Sequence, residues 1–429
     1  MLTAFSVVAQ PAADETIAIR CGRLLAEPGR QPISDAVVLV RNGTIERVGD
    51  STTQIPQNAQ VIDLSDQFVL PGLIDCHVHL SMEFTPDVRM RMLQESDADR
   101  AIRALENAHK TLLAGFTTVR DVGSTGDAVF AVRDAIESGR VHGPRILASG
   151  EAITPTGGHG DDTNGFRDDL LPIPTPATGV ADGSDACRRA VRQQVKRGAD
   201  CIKLTATGGV LSNIGAGTEQ QLFEDELRAI VDTAHLLGKR VASHAHGTRG
   251  IKAAVRAGVD SIEHGTFLDD EAIGLMKEHG TFLVATIIAG KTVERNAEVP
   301  GYYPAAVALK ARTVGPVIQD AFGRAQAGGV RIAFGTDAGV CAHGINAMEF
   351  VYMTEAGMSA SDAIVSATLN AAELCDLAGK VGAIRPGMAA DIIATSADPL
   401  EDVAALQNVR FVMRGGVVSK LNGESLLRP

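Results

Sequence analysis

The sequence predicts an α/β protein: a (β/α)8 TIM barrel with a small β-sandwich domain built from both chain ends. Three observations predict it. Between Pro71 and about Lys380, eight short apolar runs of β type alternate with helical stretches such as "EDELRAIVDTAHLLGK" (Glu224–Lys239), the pattern of a parallel sheet with crossover helices. Both ends of the chain read instead as strand and turn. No G-x-G-x-x-G follows the first strand of the middle region, which counts against the runner-up, a doubly wound open sheet.

The expected units are a stub at 1–15, a sandwich from 16–70 plus 381–429, and a barrel from 71–380. In the sandwich, "AVVLVRNGTIERVGD" places two apolar runs around Asn42-Gly43, a strong hairpin signal. At the other end, "ADIIATSADPL" is followed by "VRFVMRGGVVSK" with its Gly-Gly turn. The barrel strands are expected at Leu73–His79, Phe116–Asp121, Arg145–Ser149, Asp200–Thr205, Arg240–Ala245, Asp260–His264, Thr281–Thr286 and Arg331–Asp337.

The chain has 429 residues, 45% hydrophobic and 21% charged, enough for a large core in one big domain or two to three ordinary ones. A net charge of −12 without a basic stripe argues against nucleic acid as a partner. The apolar runs are too short to span a membrane. Six cysteines show no paired spacing, and Cys76 and Cys201 lie in apolar strand-like runs, so they read as buried thiols. The opening "MLTAFSVVAQPAA" fits either the tail of a signal peptide without its basic start or a plain apolar terminus. The compartment is therefore open: cytoplasmic, or periplasmic or secreted.

The polar residues carry the chemistry. His77 and His79 end the first barrel strand, and residues at i and i+2 of a strand face the same way. Lys203, His244, His264 and Asp337 fall near the ends of the fourth, fifth, sixth and eighth strands. In a barrel those ends ring one mouth. A single histidine in a strand is more often an ordinary core or surface residue, and "GTDAG" alone reads equally as a turn with an N-cap aspartate. Four histidines and an aspartate together at strand ends point to a metal site. Lys203 sits in the apolar strand of "GADCIKLTATGG", where an isolated ammonium is costly. A neutral amine there can take up carbon dioxide as a carbamate and so become an anionic ligand able to bridge two metals. The plainer reading is a lysine snorkelling to the mouth or pairing with Asp337.

"LPGLIDCHVHL", "GADCIKLTATGG", "ASHAHG", "SIEHG" and "FGTDAG" resemble the metal-binding strands of the amidohydrolase superfamily. "VVLVRNGTIERVG" and "GAIRPGMAADIIA" resemble its β-sandwich. "TPTGGHG" (Thr154–Gly160) and the lysine motif resemble the prolidase-like, imidazolonepropionase-related metallopeptidases, a group that includes carboxypeptidases and ochratoxin-type amidases. The resemblance implies two divalent ions, with zinc preferred. His77 and His79 would bind the first, His244 and His264 the second, and N6-carboxylated Lys203 would bridge them. Asp337 would ligate the first ion and act as acid and base. His246 departs from the tyrosine of many relatives but could likewise polarise the scissile carbonyl. His159, taken as charged, would contact a substrate α-carboxylate, and Ser81 would line the pocket.

Gly247 stands where mononuclear deaminases of the superfamily need a glutamate, and Lys203 speaks against a mononuclear ring hydrolase. His109, His142, His235, His279 and His343 receive no role. The resemblance further implies a homo-oligomer, with an octamer as one form. The expected function is hydrolysis of dipeptides or N-acyl amino acids, releasing the C-terminal residue. The alternatives are a cyclic-amide hydrolase and a non-catalytic assembly protein of the same fold.

Overall fold

A computed structural model describes residues 16–212 and 217–427. The expected stub at 1–15, with its signal-peptide-like reading, lies outside the described residues.

The chain ends meet in one sheet. Strands β1 (Thr16–Leu24), β2 (Ile33–Arg41), β3 (Thr44–Gly49) and β4 (Gln60–Pro71) come from the N-terminal side. After the central region, β12 (Ile392–Thr395), β13 (Val409–Arg414), β14 (Val417–Leu421) and β15 (Glu424–Ser425) complete it. The strand order is β15-β14-β13-β12-β4-β1-β2-β3, so antiparallel pairing of β12 with β4 joins the two ends. Asn42 and Gly43 both have positive φ, 50° and 75°, as the tight β2–β3 turn requires. The expectation was a small β-sandwich built from both chain ends; the hydrogen bonds join all eight strands in one sheet. Its strands share a common core that includes Ile19, Val38, Ile62, Ile392 and Phe411, and Thr44 near the sheet's edge bridges to Ala389, so the sheet curls over its own apolar face.

The central region holds β5 (Leu73–Val78), β6 (Phe116–Asp121), β7 (Arg145–Ala148), β8 (Ile202–Thr205), β9 (Val241–Ala245), β10 (Ser261–His264) and β11 (Phe282–Val284). Each lies within an expected strand, and β6 matches it at both ends. The residues of β5, β6, β8, β9, β10 and β11 are all buried, as in parallel sheets covered on both faces. Helices such as Asp97–Leu113 and Glu224–Leu236 cover them.

The ladders correct one expectation. They form two parallel sheets, β5-β6-β7 and β8-β9-β10-β11, and not one closed eight-stranded barrel. The sheets meet through isolated bridges: Ile153 with Leu204, Leu283 with Ile332, and Val78 with Ala338. The eighth expected strand, Arg331–Asp337, is absent as a strand. Its polar groups bond elsewhere: the Thr336 amide and hydroxyl donate to the Asp75 carboxylate at 3.1 and 2.6 Å. Asp337 turns into the left-handed region at φ 58°, which ends extended pairing. The backbone still touches β5, with the Asp337 amide donating to the His77 carbonyl at 2.7 Å.

Candidate active site

The strands aim their terminal side chains into one cavity of about 900 Å³. All nine residues singled out from the sequence line it: His77, His79, Ser81, His159, Lys203, His244, His246, His264 and Asp337. The imidazoles crowd together. Ring centroids are 5.1 Å apart for His77 and His264, 4.7 Å for His244 and His264, and 4.9 Å for His246 and His264. Two sets of donor atoms close enough to share an ion result: His77, His264 and Asp337, and His244, His246 and His264. His264 belongs to both. His79 joins the first set through Asp337, its Nε2 lying 3.3 Å from Oδ1.

The outer nitrogens are already used. His77 Nδ1 donates to Glu263 Oε2 and His79 Nδ1 to the Gly123 carbonyl, and His264 Nδ1 shares a bond with Thr286 Oγ1, each at 2.7 Å. Each bond fixes a ring and leaves Nε2 for the cavity, the arrangement typical of metal-ligating histidines. Asp337 Oδ1 is buried without a hydrogen-bond partner, which is costly unless something completes it. His264 and Asp337 both hold positive φ, 71° and 58°, a strain that persists only where the surroundings enforce it. The donor set therefore fits metal ions.

Electrostatics point the same way. Burial pushes His77 down to about 4, assisted by Lys203, and also lowers His244 and His264, so these rings are neutral and able to ligate. Burial would raise Asp337, but His77, His79 and Lys203 outweigh it and keep it below the ordinary aspartate range. Burial lowers the Lys203 amine to about 8, so a free amine is accessible at neutral pH.

His159 corrects an expectation. Its ring packs 4.1 Å from that of His244. Gly209 makes the room, since a Cβ there would lie 2.2 Å from the His159 ring. Burial, with His246, Lys310 and Lys203 nearby, pushes His159 down to about 3. The ring is therefore neutral, where a charged one was expected. Among the histidines given no role, His343 reaches the His79 carbonyl at 3.3 Å and shares a 3.0 Å bond with Thr111.

Sequence reasoning missed the supporting layer. Asp75 precedes His77 by two residues on the same strand face and ties it to the 331–337 segment. It also accepts from Asn346 Nδ2 at 2.8 Å. Glu263 bonds His77, Arg120 Nη2 at 3.0 Å and Ser261. Burial would raise Glu263, but Arg120 and His77 hold it down at about 2. The signal was present: an acid and an arginine inside apolar strands, "SIEHG" and "FTTVRD", are as anomalous as Lys203. Glu263→Gln is expected to cost about 3–5 kcal/mol in urea unfolding, because it leaves Arg120 buried and uncompensated. A change within about 0.5 kcal/mol, ordinary for a surface site, would show the pair to be inconsequential.

Such a cluster on parallel strands defines a metal-dependent hydrolase of the α/β type. The chain belongs to the amidohydrolase family, whose model matches residues 68–419. It is 33% identical to ochratoxinase of Aspergillus niger, over 94% of this chain and 86% of that protein. The structure of a Xaa-Pro dipeptidase with bound methionine superposes with a TM-score of 0.90 at 43% identity, covering 95% of this chain and all of the other. A prolidase complexed with N-methylphosphonate-L-proline gives 0.86 at 33% identity, with coverage of 95% and 100%. The chain is thus a prolidase-like amidohydrolase acting on amide bonds, and the non-catalytic alternative falls away.

Proposed function

We propose that this protein is a dinuclear metal-dependent hydrolase that releases the C-terminal amino acid from dipeptides or N-acyl amino acids. The observation that carries the reading is the convergence of His77, His79, Lys203, His244, His264 and Asp337 on one cavity. The accompanying fold reading is an arrangement of (β/α)8 type whose ladders stay open: three bridges join the edges of the two parallel sheets, and the chain ends form the single curled sheet beside them. A homo-oligomer is part of the same proposal.

His77, His79 and Asp337 would hold one ion and His244 and His264 the other, zinc being suited to such a nitrogen and oxygen set. Lys203, as the carbamate formed when its neutral amine adds carbon dioxide and loses a proton, would reach both. Bound there, the ions would supply Lewis acidity, acidifying a water and polarising the scissile carbonyl. Asp337 Oδ1, buried without a hydrogen-bond partner, takes the water's proton and passes it to the leaving amine, which cannot depart without one. His246 shares a 2.7 Å bond between Nδ1 and Thr266 Oγ1. With Thr266 donating, the proton sits on Nε2, ready to donate to the carbonyl oxygen as it gains charge. Ser81 Oγ, buried without a partner, is available to the substrate from the wall.

The names and bound ligands of the relatives support this substrate class: a dipeptidase with an amino acid and a prolidase with a proline phosphonate. The test is a library of dipeptides, N-acyl amino acids and cyclic amides assayed for amine release. Turnover of linear substrates with free C-termini is expected. Turnover of cyclic amides alone would transfer the assignment to that class.

A further inference from the structure

We propose that Arg89 is the cation that reads the substrate's C-terminal carboxylate; this rests on the hydrolase reading above. Arg89 stands on the helix Val88–Gln94 and contributes to the lining of the catalytic cavity. Three other arginines line the same cavity, and each is matched by an acid: Arg91 with Asp87 at 3.5 Å, Arg100 with Asp97 at 3.0 Å, and Arg103 with Glu95. Arg89 has no ion-pair partner among the described residues. Its guanidinium is nevertheless held in place. It lies 4.0 Å over the Phe166 ring, and Nη1 donates to the Asn164 carbonyl at 3.1 Å.

That anchorage leads back to the glycine-rich loop. Asn164 Nδ2 donates to the Gly158 carbonyl at 2.6 Å, beside His159. Asp161 accepts from the Gly157 amide at 2.9 Å and from the Thr163 amide and hydroxyl, and Asp162 accepts from Thr125, so both loop acids are engaged. A half-buried guanidinium stacked on an aromatic ring, tied by one N–H and with the others uncommitted, is pre-organised for a carboxylate, whose two oxygens match its fork. The loop sets the guanidinium's position; Arg89 carries the charge.

The experiment compares wild type, Arg89→Met and Arg89→Lys on the best free-acid substrate of the library and on its C-terminal amide. Arg89→Met is expected to lower kcat/KM at least tenfold on the free acid, mainly through KM, and less than threefold on the amide. Arg89→Lys should recover part of the loss, and metal content should match wild type in both variants. Equal losses on acid and amide, or no loss on either, would overturn the assignment. If no library member is turned over, the hydrolase reading fails separately. Equilibrium binding of N-acetyl-L-phenylalanine and N-acetyl-L-phenylalaninamide to the same three proteins then decides the role of Arg89. Preference for the acid that vanishes in Arg89→Met supports it, and unchanged preference refutes it.

Discussion

Lys203→Met is expected to lose most of its bound metal and its activity together. The side chain is buried, close enough to His77, His264 and Asp337 to shift each of them, and its amine is lowered to about 8 by that burial. Methionine fills similar volume without a site for carbon dioxide, so it removes the shared ligand while sparing the packing of Ile202 and Leu204 around it. Losing an outer-layer partner of a metal ligand typically costs about 10–100-fold in affinity or activity; loss of a ligand common to both ions should exceed that. In Lys203→Ala, bicarbonate or short carboxylic acids should restore part of the activity by occupying the vacated space. Elemental analysis and circular dichroism on the same preparations check the outcome. Full metal occupancy in folded Lys203→Met would remove the bridging role.

Asp337→Asn should fold and retain at least one ion, yet lose turnover heavily. Asparagine still offers an oxygen to the first ion, but it cannot carry a proton from water to the leaving amine. General acid–base steps contribute about 10²–10⁴-fold, and the missing ligand charge adds to this. The buried Asp337 Oδ1, which lacks a hydrogen-bond partner, marks the atom that does this work. Steady-state kinetics on a library substrate measure it, and near wild-type kcat in Asp337→Asn would assign the shuttle elsewhere.

What the sequence disclosed, and what it withheld, follows from the range of the forces involved. His77 and His79 were legible because strand alternation is local, and Lys203 because a charge in an apolar strand has no local explanation. The Asn42-Gly43 hairpin was legible for the same reason. The missing eighth strand was not, because its fate rests on Asp75, 261 residues away in sequence from Thr336. The joining of both chain ends in one sheet depends on β12 finding β4, a pairing that no short window contains. The neutrality of His159 arises from its burial, with His246, Lys310 and Lys203 nearby, in the space left by Gly209, all products of tertiary packing. Glu263 and Arg120 were readable but unread: each is a charge inside an apolar strand, and together they explain one another.

The central claim is that two ions share one donor set in this cavity. Metal-depleted protein titrated with zinc in the presence of bicarbonate, with amine release followed at each addition, tests it most directly. The account predicts activity that rises to a plateau at two equivalents per chain. A plateau at one equivalent, or full activity without added metal, would contradict it.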